Sequence, residues 1–216
     1  MLFPKIMATS ETILKVTRVI PVIVIDDYRH ALPLGNALVA AGLPVAEVTL
    51  RTAASWKAVE QMLSIKDLEV GVGSVKGADD LNKAKELGAS FAVSPGITSE
   101  LASSARNNNF TLIPGVSTPS EVMVALSYGF SILKWFPAES LGGINSLKAL
   151  SAPFPGIKFI PTGGITMENA LGYLALDCVS AIGGSWMVSR EKLKNEKFDE
   201  IESDVRAAVS LVRRQT

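Results

Sequence analysis

The strongest constraint on this chain is an alternation of strand-like and helix-like segments that recurs eight times at similar spacing. The strand-like segments are Val19–Ile25, Val45–Leu50, Glu69–Val72, Phe91–Val93, Thr111–Ile113, a stretch within Ser131–Glu139, Ile157–Ile160 and Val179–Ile182. The helix-like segments that follow the first seven are Asp27–Ala41, Ala53–Ser64, Ala78–Leu87, Ser99–Arg106, Pro119–Tyr128, Asn145–Leu150 and Met167–Leu174. Gly42, Gly88 and Gly129 supply stops. The last helix spans Asp199–Arg213, with Phe198, Ile201, Val205, Val209 and Val212 along one face.

Strand–helix alternation implies a parallel sheet. The strands are apolar on both faces, as needed when helices cover one side and a packed interior fills the other. Eight units predict a closed (β/α)8 TIM barrel. An open doubly wound sheet is the alternative, but the first unit has no Gly-x-Gly-x-x-Gly turn, and Asp26-Asp27 follow its strand. A short amphipathic segment near Thr9–Thr17 precedes the first strand. The expected organisation is an N-terminal helical segment over 1–18 and a single barrel domain over 19–216.

Composition removes several function classes. Lys+Arg is 21 and Asp+Glu is 21, so no basic excess points to nucleic acid. The apolar strings are too short to span a bilayer, and Met1–Arg18 lacks the apolar core of a signal peptide. One cysteine, Cys178, allows no intrachain disulfide and suits a reducing cytoplasm; it is expected to be buried and inert. One histidine, His30, expected at the surface, leaves no histidine cluster for a metal. No metal and no cofactor are expected.

The chemistry centres on Lys134, flanked by Ile132, Leu133, Trp135 and Phe136. An ammonium among such neighbours is costly unless it is paired, reaches water or loses its proton. A desolvated lysine can act as a nucleophile toward a ketone and form a Schiff base; a lysine that snorkels to the surface is the bland alternative. Strand parity puts Val45, Glu47, Thr49 and Arg51 on one face of the second strand, and Ile132, Lys134 and Phe136 on one face of the sixth. If both faces point inward, Lys134 meets Glu47 and Arg51 in the interior. Arg51 suits a substrate carboxylate, and Ser74 can add a hydroxyl donor. Thr162-Gly163-Gly164 and Gly183-Gly184-Ser185 close the last two strands, where barrels often hold phosphate on backbone N–H groups.

Glu47-Val48-Thr49-Leu50-Arg51-Thr52, Ser94-Pro95-Gly96, Ile113-Pro114-Gly115, Lys134-Trp135-Phe136-Pro137-Ala138-Glu139, Pro161-Thr162-Gly163-Gly164-Ile165 and Ile182-Gly183-Gly184-Ser185-Trp186 occur in this order. Together they resemble the 2-keto-3-deoxy-6-phosphogluconate (KDPG)/4-hydroxy-2-oxoglutarate (KHG) aldolases over nearly the whole chain. The resemblance implies a metal-free class I aldolase on a (β/α)8 barrel, a homotrimer acting on a 2-keto-3-deoxy sugar acid phosphate and releasing pyruvate. It implies Lys134 as the Schiff-base lysine and Glu47 as general acid/base. It implies Arg51 and Ser74 at the carboxylate, Pro95 and Phe136 along the substrate, and Thr162, Gly163, Gly164, Gly184 and Ser185 near the phosphate. The galactonate epimer is an alternative substrate; a phosphosugar isomerase or epimerase, or a non-catalytic sugar-phosphate binder, are alternative functions. One departure from the family pattern is Ser74, where many members carry threonine.

Overall fold

The computed structural model describes residues 17–213; the amphipathic segment near Thr9–Thr17, and with it most of the 1–18 unit, lies outside the described residues. The strands are β1 (Val19–Ile23), β2 (Val45–Thr49), β3 (Glu69–Gly73), β4 (Phe91–Val93), β5 (Leu112–Ile113), β6 (Gly115–Val116), β7 (Ile132–Trp135), β8 (Lys158–Pro161) and β9 (Ile182–Gly184). The helices are α1 (Ala31–Ala40), α2 (Ser55–Met62), α3 (Ala78–Glu86), α4 (Ser99–Asn107), α5 (Pro119–Ser127), α6 (Gly143–Ser151), α7 (Met167–Leu174), α8 (Arg190–Lys194) and α9 (Phe198–Arg213). Each of the first seven helices falls on a stretch with helical patterning. α5 opens on a capping box between Thr118 and Glu121, with Pro119 in its first turn, which satisfies backbone donors the helix leaves free.

All strand pairs run parallel. They form a six-stranded sheet, β5-β4-β3-β2-β1-β9, and a three-stranded sheet, β6-β7-β8. This is an α/β fold with two parallel sheets where the alternation predicts one closed eight-stranded barrel. The division has a local cause at the fifth strand. Pro114 separates β5 from β6 and has no N–H to donate to a ladder. Its carbonyl still accepts from Lys134 N at 2.9 Å. At the other junction β8 and β9 meet through a single parallel bridge, Thr162 to Gly183.

Two further differences concern the end of the chain. The last strand lies at Ile182–Gly184, not Val179–Ile182. Val19, Ile20 and Pro21 of β1 pair with Ile182, Gly183 and Gly184, so tertiary pairing overrides the higher β-propensity of Val179. α8 lies where no helix is predicted: five residues are too few to show a helical period, and Ser189 caps it by accepting from Lys192 N. Cys178 is half-buried, not fully buried. His30 is partly covered, edge-on to Phe198 with ring centroids 6.1 Å apart.

A single apolar core runs between the strands and helices, including Trp135, Phe159, Phe91 and Tyr173, all shielded from solvent. α9 buries Ile201, Val205, Ala208, Val209 and Val212 and packs on α1, α7 and α8. Among the described residues no helix is long and apolar enough to cross a membrane.

Candidate active site

Parallel strands present their C-terminal ends on one side, and the residues singled out from sequence gather there. Arg51 follows β2, Ser74 follows β3, Pro95 follows β4, Phe136 follows β7, Thr162 follows β8, and Gly184 ends β9. Deeper in the molecule, Glu47 sits in β2 between Val22 of β1 and Gly71 of β3. Lys134 sits in β7 between Gly115 of β6 and Ile160 of β8. The two side chains meet across the interior: Lys134 Nζ donates to Glu47 Oε1 at 3.1 Å, although 87 positions separate them.

Both residues are buried, 4% exposed for Lys134 and 3% for Glu47. Removing two charges from water costs several kcal/mol per ion, so such a pair persists only where the partners are well placed. Part of the placement comes from Gly73. A Cβ there would lie 2.4 Å from Glu47 Oε1, so any larger residue would displace the carboxylate. Lys134 Nζ also lies 5.4 Å from the centre of the Phe136 ring, close enough for a cation–π contact.

Arg51 departs from the interior position that parity suggested. It is exposed, and its Nε donates to Ser74 Oγ at 3.1 Å. The reason is that β2 ends at Thr49, so strand alternation no longer governs Arg51. Ser74 has a φ of +60°, a left-handed conformation that a β-branched residue adopts only with strain. Its hydroxyl accepts from Arg51 and keeps its own proton to donate.

A cavity of about 390 Å³ opens beside Phe136. Its wall includes Arg51, Phe136, Thr162, Gly163, Gly164, Gly184 and Ser185, all of them site candidates from sequence. Gly163 and Gly164 both have positive φ, +100° and +79°, which bends the loop as only glycine does without strain. The loop is tied to the segment after β7: Ala138 N donates to Thr162 O at 2.8 Å and Glu139 N to Gly163 O at 3.0 Å. Thr162 is buried against Gly183, where a Cβ would come within 2.3 Å of its hydroxyl. Glu47 and Lys134 do not line this wall, and neither do Ser74 and Pro95. Pro95 is exposed, and its backbone packs against Gly115.

Sequence reasoning missed two contributors. Gly73 reads as an ordinary turn residue, because nothing local shows the carboxylate packed on it. Arg190 lies in the cavity wall and pairs with Asp26, 164 positions away, a relation no local pattern reveals. Among the described residues there is no group of three or more His, Cys, Asp or Glu placed to hold a metal ion. What the arrangement offers is an amine, a carboxylate in contact with it, the Arg51 guanidinium in the cavity wall, and two glycine-bearing loops beside it.

Comparison with known proteins points the same way. A family model described as KDPG and KHG aldolase matches residues 10–203. The KHG/KDPG aldolase of Escherichia coli K12 is 43% identical over 202 residues, covering 93% of this chain and 95% of that protein. The solved 2-keto-3-deoxy-6-phosphogluconate aldolase of Zymomonas mobilis ZM4, with 3-phosphoglycerate, matches with a TM-score of 0.91 and 37% identity, over 96% of this chain and 97% of that one. The KDPG aldolase of Legionella pneumophila, with pyruvate captured at low pH as a covalent carbinolamine intermediate, has a TM-score of 0.89 and 42% identity, over 92% and 97%.

Proposed function

The chain belongs to the KDPG and KHG aldolase family, and from that premise we propose that Lys134 is its Schiff-base nucleophile and Glu47 its general acid/base. The protein is a carbon–carbon lyase. It cleaves 2-dehydro-3-deoxy-6-phosphogluconate reversibly to pyruvate and D-glyceraldehyde 3-phosphate, and 4-hydroxy-2-oxoglutarate to pyruvate and glyoxylate. The observation that carries the assignment of residues is the buried contact at 3.1 Å between Lys134 and Glu47.

In the free enzyme the ammonium of Lys134 hands a proton to Glu47. The amine then adds to the C2 ketone, Glu47 returns its proton to the departing hydroxyl, and loss of water gives a protonated imine, an electron sink. Glu47, directly or through a water, takes the C4 hydroxyl proton as the C3–C4 bond breaks. The aldehyde leaves, the enamine is protonated at C3, and hydrolysis of the imine frees pyruvate and Lys134. Arg51 and Ser74 hold the carboxylate, and Phe136 packs along the chain of the substrate. Thr162, Gly163, Gly164, Gly184 and Ser185 receive the phosphate end, and Pro95 lies at the rim.

The two sheets are read as arcs of one closed (β/α)8 barrel. Three features support this: β5 and β6 flank Pro114 as one interrupted strand, Thr162 bridges to Gly183, and Glu47 reaches Lys134 across the interior. The assembly is a homotrimer, as the family resemblance implies; Met123, Val124 and Leu126, exposed on α5, give an apolar face for subunit contact. The cellular location is the cytoplasm, in keeping with the unpaired Cys178.

Borohydride reduction in the presence of pyruvate tests the assignment. A three-carbon adduct on Lys134, located by mass spectrometry of the digested protein, is the expected result. Turnover of KDPG without any adduct would overturn the Schiff-base role of Lys134.

A further inference from the structure

The residues assigned to the phosphate end supply only neutral donors: backbone N–H groups and two hydroxyls. A phosphate ester carries nearly two negative charges at neutral pH, and cationic donors bind it more strongly than neutral ones. Two charged side chains stand in the cavity wall, Arg51 and Arg190. Arg51 is engaged at the Ser74 end. Arg190 shares the wall with Gly163, Gly164, Gly184 and Ser185.

Arg190 is held at two points. Its Nε and Nη2 donate to the two carboxylate oxygens of Asp26, each at 2.5 Å. This fork-to-fork contact fixes the plane of the guanidinium and uses Nε and Nη2, so Nη1 is not part of the fork. Asp26 does not line this cavity; together with Arg190 it lines a neighbouring one. The pair is largely exposed, 65% for the Arg190 side chain and 43% for Asp26. Pairs this open contribute little to stability, so stability does not account for the arrangement. Ser189, which caps α8, fixes where that helix begins and so where Arg190 emerges.

We propose that Arg190, oriented by Asp26, is the cation that recognises the phosphate of the substrate and sets the preference for phosphorylated over unphosphorylated 2-oxo acids. Arg190 is the specificity residue and Asp26 a positioning residue. The proposal rests on the aldolase assignment above for its substrate, but not for the presence of an anion site.

The test compares wild type, Arg190→Gln, Arg190→Lys and Asp26→Asn on two substrates, KDPG and 4-hydroxy-2-oxoglutarate. Arg190→Gln is expected to raise KM for KDPG on the order of tenfold and to lower the KDPG:KHG ratio of kcat/KM to match. Arg190→Lys should recover part of that ratio, and Asp26→Asn should lower it by less than Arg190→Gln does. An unchanged ratio in Arg190→Gln, or an equal loss on both substrates, overturns the proposal. Inorganic phosphate supplies a readout independent of turnover: it should raise the melting temperature of wild type and raise that of Arg190→Gln less. Absence of aldolase activity in wild type with that difference intact would sink the aldolase assignment and leave the anion site. An equal phosphate shift in both proteins sinks the anion site.

Discussion

Lys134 and Glu47 carry opposite obligations, since each needs the other to be tolerable in the interior. Lys134→Ala is expected to abolish the borohydride adduct and to cost about 3–5 kcal/mol of stability, because it strands a buried carboxylate. Adding Glu47→Gln should recover part of that loss; urea denaturation of the single and double variants reads both effects. Gly73→Ala tests placement alone. Its new Cβ, 2.4 Å from Glu47 Oε1, should push the carboxylate aside and lower kcat about a hundredfold, while urea unfolding registers a cost of only about 1–3 kcal/mol. Much of this site was legible beforehand. Side chains alternate along a strand, so parity puts Glu47 and Lys134 each on a face that, if turned inward, brings the two together. Arg51 broke the same rule because β2 ends at Thr49, two residues earlier. Gly73 escaped notice because a missing side chain carries no chemical signature.

At the level of elements, the loop after β8 depends on what props it. Tyr173 of α7 donates to Glu139, and Glu139 packs on Gly164, where a Cβ would come within 2.6 Å of it. Burial, then the hydrogen bond to Glu139, raises the pKa of Tyr173 well above its ordinary value of 10.0. The folded protein therefore favours the neutral phenol. That preference adds no pH dependence below the unfolded pKa. It becomes a loss of stability as pH rises past 10.0 toward the folded value, because the unfolded chain ionises first. Melting temperatures between about pH 8 and pH 11 should show the decline, with a shallower slope in Tyr173→Phe. Thr118→Ala, which removes the capping box of α5, should cost about 1 kcal/mol by thermal unfolding. The order of the elements was readable because apolar strands alternate with helical patterns. The details that were not readable depend on partners far away in sequence. β9 is drawn onto Gly183 and Gly184 by pairing with β1, and the break at Pro114 becomes visible only once β6 has joined β7.

For the molecule as a whole, the points to test are closure and assembly. Gly183→Val should force Thr162 away, since a Cβ there already lies 2.3 Å from its hydroxyl, and so part β8 from β9. Faster amide exchange along both strands would report it. Light scattering should give three times the chain mass, and Met123→Glu on α5, where Met123 is 62% exposed, should shift the protein toward monomer. The Lys134–Glu47 contact has one more consequence at this scale. Ammonium with carboxylate, amine with carboxylic acid, and iminium with carboxylate all sum to zero. Through imine formation the interior therefore exchanges one neutral pair for another. The interior conserves its charge as the substrate becomes covalently attached, so the surrounding apolar shell need not open to water to accommodate the chemistry.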